Sequence, residues 1–130
     1  MKIQKSFLIL AFALAALTVI FGAFGAHGLK AKITPEQLKT YETGISYQFY
    51  HTFALMITAL LMSRLSSPLL TYAGCAFIFG IVCFSGSLYL LSTRELLGLT
   101  NWRWLGPITP IGGVGFIVGW VLLMVATMKL

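Results

Sequence analysis

Apolar residues run nearly unbroken through four stretches of this chain, 6–28, 45–63, 69–92 and 107–127. Each is close to the roughly 20 residues with which a helix crosses about 30 Å of hydrocarbon. The pattern predicts an all-α integral membrane four-helix bundle, one transmembrane domain over residues 1–130. The first stretch follows Lys2 and Lys5 and ends in small residues, as a secretory signal does, but its apolar core is longer than the roughly 7–15 residues of a signal h-region. It is therefore expected to remain as the first span.

The segment joining the first two spans has its own pattern. In "TPEQLKTYETG", Thr34 is placed as N-cap, Pro35 at the first helical position and Gln37 at the third, which makes a capping box. Leu38, Tyr41 and Ile45 then recur at three and four residues. A short interfacial amphipathic helix is expected over 35–43, running into the second span or bending at Gly44 before it. The third loop carries Trp102 and Trp104, which suit the aromatic belt at a membrane surface.

Small residues form stripes: Ala11, Ala15, Gly22 and Ala26 in the first span, and Gly112, Gly115 and Gly119 in the fourth. Lipid offers no hydrophobic drive between helices, so close backbone approach has to hold them together. Gly22, Gly25, Ala26, Gly86, Gly112, Gly113, Gly115 and Gly119 are the expected packing positions. "GGVGFIVG" has the wrong glycine spacing for a dinucleotide fingerprint, and no strand precedes it.

Polar residues are placed in depth by the alternation of helix direction. His27 closes the first span, Tyr47, Gln48 and His51 open the second, Ser85, Ser87, Tyr89 and Ser92 end the third, and Thr109 and Pro110 begin the fourth. All fall in the half of the bilayer nearest the first and third loops. Tyr47, Gln48 and His51 are read as sharing one helix side; facing lipid, they would leave hydrogen bonds unmet at several kcal/mol. A polar cluster of His27, Tyr47, Gln48, His51, Ser85, Ser87, Tyr89 and Thr109 is expected between the helices. It serves either to fix helix register or to bind a lipid, a quinone or a partner helix.

Composition narrows the choices. Apolar residues make up 58% and charged residues 9%, which excludes an ordinary soluble domain. The net charge of +6 comes from basic residues at span ends rather than along one face, so nucleic acid is not expected as a partner. Lys2, Lys5, Arg64 and Lys129 lie on the side of the termini; Lys30, Lys32, Lys39, Arg94 and Arg103 lie on the other. That near balance leaves dual insertion open, while the lysines flanking the first span favour cytoplasmic termini. Cys75 and Cys83 stand about 12 Å apart on one helix and cannot bridge. Two histidines with no third ligand make no metal site, and the absence of aspartate rules out a Ser-His-Asp set. No catalytic residue, metal or cofactor is expected.

"GAFGAHGL", "TGISYQFYHT", "FSGSLYLL" and "TPIGGVGFIVGW", in this order, closely resemble the YgdD-like family of small bacterial inner-membrane proteins. That family is described as domain of unknown function 423, and its eukaryotic relative is transmembrane protein 256. The resemblance implies a four-helix membrane protein without an established activity, in the bacterial plasma membrane. It marks His27, Tyr47, Gln48, His51, Ser85, Gly86, Tyr89, Pro110, Gly112, Gly113 and Trp120 as motif positions; Glu42 is outside the pattern. The function expected is non-enzymatic, with membrane lipids and a homo-oligomer or larger membrane complex as partners. A small oligomeric transporter or ion channel is the alternative, although Glu36, Glu42 and Glu95 all lie in loops, away from any buried proton-exchange site.

Overall fold

The computed structural model describes residues 2–130, and there is no strand among them. Helix α1 spans Lys2–Phe24 and runs on through a π-helical turn, Gly25–Leu29. Helix α2 spans Pro35–Leu61. Helix α3, Pro68–Gly80, passes through a second π-helical turn, Ile81–Ser85, into α4, Gly86–Thr93, and α5 spans Ile108–Thr127. Three of these rods, Lys2–Leu29, Pro68–Thr93 and Arg103–Thr127, are long and apolar enough to cross a membrane.

The start of α2 follows from its cap. Thr34 is extended, its hydroxyl accepts from the Gln37 N–H at 3.1 Å, and the Gln37 amide oxygen accepts from the Thr34 N–H at 2.9 Å. The helix so begun does not stop at 43. Residues 35–43 are the first turns of one 27-residue helix, about 40 Å long at 1.5 Å per residue, so of the two expected courses the segment runs into the second predicted span. Gly44 acts as a contact rather than a hinge. It is buried where α2 passes α4, and a Cβ there would lie 2.7 Å from Tyr89 Cε1.

The sidedness of α2 reverses that of a water-soluble helix. Gln48, His51, Thr52 and Thr58 face inward, whereas Tyr50, Phe53, Ile57 and Leu60 are exposed. Helix α2 packs on α1 on one side and on α3 and α4 on the other; α5 packs on α3 and the second π turn. Ala54, Leu70, Phe77, Phe116 and Leu123 fill one core, and Phe7, Ala11, Leu55 and Ala59 a second. At one end Gln4 donates to the Ala59 carbonyl at 2.8 Å, which sets the start of α1 beside the end of α2. At the other, Gln37 donates to Glu95 at 3.5 Å and links the first loop to the third.

The glycine stripe of α5 lies on its seam with α3. A Cβ on Gly112 would strike the backbone of Cys83 and Phe84; on Gly115 it would come within 2.8 Å of Phe79 Cδ1, and on Gly119 within 2.5 Å of Phe77 Cε1. Gly25 is equally confined, 2.5 Å from Tyr41 Cε1 by the same construction, while Gly22 and Gly113 make only ordinary contacts at 3.8 Å. Two expected packing positions do no such work. Ala26 is exposed, and nothing lies within 4 Å of a Cβ at Gly86. Both follow π turns or lie within them, where the inward face is no longer the one that a continuous α-helix would present.

Candidate functional site

The centre of the polar network is Gln48, only 2% exposed. Its amide nitrogen donates to Thr18 Oγ1 at 2.8 Å, and the Tyr89 hydroxyl donates to its amide oxygen at 2.6 Å. Thr18 spends its own hydrogen on the Leu14 carbonyl at 2.6 Å, so it must accept from the amide. That fixes the orientation of the Gln48 side chain and ties α1, α2 and α4 together. The Tyr89 ring stands edge-on to Phe21 at 5.3 Å and 5.2 Å from Tyr41, whose hydroxyl donates to the Phe21 carbonyl at 2.6 Å.

The second π turn aims the serines. A wide turn inserts one residue and so rotates everything beyond it by about 100° relative to an unbroken α-helix. Ser85, fully buried, donates to the Gly44 carbonyl of α2 at 2.7 Å. Ser87 donates to the Phe84 carbonyl at 2.9 Å and lies 2.6 Å from Thr109 Oγ1. With its single hydrogen spent on Phe84, Ser87 accepts from Thr109. Ser92, also buried, donates only to the Tyr89 carbonyl at 3.0 Å.

His51, three residues on and about 60° around the same inward side of α2, meets α5 instead. It is 5% exposed, and its ring lies parallel to that of Phe116 at a centroid distance of 3.5 Å. Nδ1 is 2.7 Å from the Tyr47 carbonyl, which can only accept, so Nδ1 carries the hydrogen. The indole N–H of Trp120 donates to Nε2 at 3.1 Å. Both partners therefore require the neutral imidazole and select one tautomer.

Two predicted members lie outside the Gln48 network. His27 is exposed, because the first π turn directs Gly25 and Leu29 inward. Tyr47 is 39% exposed and its side chain makes no hydrogen bond to the Gln48 network, but its ring packs on Phe84 at 4.6 Å and stacks on His51, its predicted neighbour, at 6.0 Å. Successive residues on a helix are about 100° apart, so Tyr47 and Gln48 do not share a direction. Two members escaped the depth argument: Trp120, which only the motif resemblance marked, and Thr18. A signal for Thr18 existed, since it falls seven residues after Ala11 and four before Gly22, on the small-residue stripe.

Beside the network runs a groove of about 270 Å³ lined by Phe21, Leu29, Tyr41, Tyr89, Leu90 and Leu97. Its wall shares Tyr41 and Tyr89 with the network. Thr52 Oγ1 is the one buried side-chain polar atom without a hydrogen-bond partner among the described residues. No group of three metal-ligating side chains occurs among them, and Cys75 and Cys83 are unpaired.

The family model described as "Protein of unknown function (DUF423)" matches residues 21–113. The chain belongs to this family. It is 44% identical over 127 residues to the UPF0382 membrane protein YwdK of Bacillus subtilis, covering 97% of this chain and 98% of that protein. It is 46% identical over 126 residues to the UPF0382 membrane protein SERP0230 of Staphylococcus epidermidis, with coverage of 97% and 98%. The UPF0382 membrane protein SH2409 of Staphylococcus haemolyticus is 42% identical over 126 residues, with the same coverage. No solved structure matches. These relatives and the three apolar rods make the chain a membrane protein of the family to which its four motifs point.

Proposed function

We propose that this chain is a non-catalytic, four-span protein of the bacterial plasma membrane, with cytoplasmic termini, that holds the apolar tail of a membrane lipid or quinone. The tail lies in the groove between the end of α1, the start of α2 and α4. Support for the fourth span comes from α2, whose exposed face is Tyr50, Phe53, Ile57 and Leu60 while its amide and imidazole are buried. That is the sidedness that hydrocarbon selects.

The observation that carries the ligand reading is the division of labour around Tyr89. Both ends of the Gln48 amide and both ring nitrogens of His51 are engaged within the chain. The network therefore serves as a rigid support, and the aromatic wall that it braces is the surface offered to a ligand. Pockets for small molecules are mainly apolar, with a few fixed polar groups behind them.

A lipid with a diazirine near the end of its acyl chain tests this in proteoliposomes. Crosslinks are expected to concentrate on peptides covering residues 21–29 and 89–97, and Leu90→Trp, which fills the groove, is expected to reduce them several-fold. Even labelling of every lipid-facing peptide, unchanged by Leu90→Trp, would refute the proposal.

A further inference from the structure

At the opposite end of the molecule, where α1 begins and α2 turns into α3, lies a larger open cavity of about 840 Å³. Lys2, Gln4, Ser63, Arg64, Ser66 and Ser67 line it. Its volume is within the range of small-molecule sites, roughly 300–1,000 Å³, and its electrostatics have one sign. Lys2 and Arg64 supply two cations, whereas Glu36, Glu42 and Glu95, all the acidic side chains of the sequence, lie at the other end.

The backbone reinforces that sign. The end of α2 would ordinarily present unpaired carbonyls that repel an anion. Here the last four are occupied: Thr58 accepts from Met62, Ala59 from the Gln4 side chain, Leu60 from Ser63, and Leu61 from Arg64 and Leu65. Helix α3 opens into the same loop with its positive end, capped by Ser67, whose hydroxyl accepts from the Leu69 N–H at 3.3 Å. The negative pole is paired and the positive pole faces a basic, hydroxyl-lined cavity.

We propose that this cavity is a phosphate site that takes the headgroup of an anionic phospholipid. Arg64 supplies a planar fork suited to phosphate oxygens, Lys2 a mobile point charge, and the Ser66 and Ser67 hydroxyls further donors, while Ser63 spends its hydrogen on the Leu60 carbonyl at 2.7 Å. The lipid is the source because the cavity sits where the apolar rods end, at the depth of lipid phosphates. This site is separate from the groove beside Tyr89, so either can fail without the other.

Native mass spectrometry of protein released from phosphatidylcholine nanodiscs containing phosphatidylglycerol provides the test. Lys2→Gln with Arg64→Gln is compared with Lys5→Gln with Lys129→Gln, a pair that removes the same charge at the same end but outside the cavity lining. Phosphatidylglycerol retention is expected to fall on the order of thirtyfold in the first pair and to hold in the second. Thermal transitions in detergent establish that both variants fold. Equal loss in both pairs, or none in either, overturns the proposal. Inorganic phosphate, titrated into protein in pure phosphatidylcholine discs, is expected to leave the transition unmoved; stabilisation by free phosphate without phosphatidylglycerol retention would overturn the lipid source.

Discussion

Replacing Tyr89 by Phe removes one hydroxyl and leaves the ring, so it isolates the bond on which the network turns. Gln48 is only 2% exposed, and its amide oxygen loses its donor at 2.6 Å. An orphaned buried acceptor costs about 1–3 kcal/mol in water-soluble proteins. Interhelical hydrogen bonds in membranes average about 0.6 kcal/mol and reach about 1.7, because the unfolded chain in lipid also finds partners. A short bond to a buried amide belongs in the upper part of that range, and a loss of about 1 kcal/mol is expected. Gln48→Leu removes the orphan itself. Thr18 keeps the Leu14 carbonyl as acceptor, so the second substitution hurts less when Tyr89 is already Phe. Reversible unfolding in mixed micelles, followed by circular dichroism for the four members of the cycle, is expected to give a coupling of about 1 kcal/mol. Additivity within about 0.3–0.5 kcal/mol, the level of independent sites, would refute the reasoning.

Gly112→Ala is expected to destabilise by about 1–3 kcal/mol, since its Cβ meets the Phe84 backbone and no rotamer change gives relief. Gly86→Ala, with open space around it, is expected to raise stability by about 0.4–1 kcal/mol; melting curves compare the two. Trp120→Phe keeps an aromatic ring but strips His51 Nε2 of its donor, a loss of about 1 kcal/mol. Nitrogen NMR of the wild type is expected to show His51 as the neutral Nδ1–H tautomer, and an Nε2–H signal would contradict the assigned partners. Thr34→Ala removes the capping box of α2 and costs about 1 kcal/mol, with faster hydrogen exchange confined to the first turn after Pro35.

Depth was legible in the sequence and azimuth was not. The level of a side chain in the membrane depends only on the span it occupies and the direction of that span, so Gln48, Ser85 and Tyr89 could be placed at one depth from order alone; Tyr89 bonds to Gln48, and Ser85 to the Gly44 carbonyl one turn away. The direction in which a side chain points accumulates 100° per residue, and each π turn shifts the count. Such turns cover Gly25–Leu29 and Ile81–Ser85, and the misplaced His27 lies inside the first. Hydropathy had the opposite weakness. Averaged over a span-length window, it finds α1, α3 with α4, and α5, but blends the polar inner face of α2 with its apolar outer face, so that α2 stands out only in the residue-by-residue pattern of 45–63.

That averaging hides why α2 carries an amide and an imidazole at all. Helices in lipid gain nothing from burying apolar surface against one another, so association needs close backbone approach or directional bonds. Helices α3 and α5 have the first, through Gly112, Gly115 and Gly119. Helix α2 meets α5 through side chains: His51 stacks on Phe116 and accepts from Trp120. It reaches α1 and α4 through the two ends of one amide, and the π turn before α4 through the Gly44 carbonyl. Gln48 and His51 lie on the helix that must hold three others, the amide aimed at α1 and α4 and the imidazole at α5. Their absence from its outer face leaves only Tyr, Phe, Ile and Leu exposed on α2 beyond Gly44, the sidedness on which its reading as a span rests. An arrangement in which either polar side chain turned outward would lose a contact between helices and expose an unpaired polar group to lipid at once, and that double penalty holds the four rods in a single register.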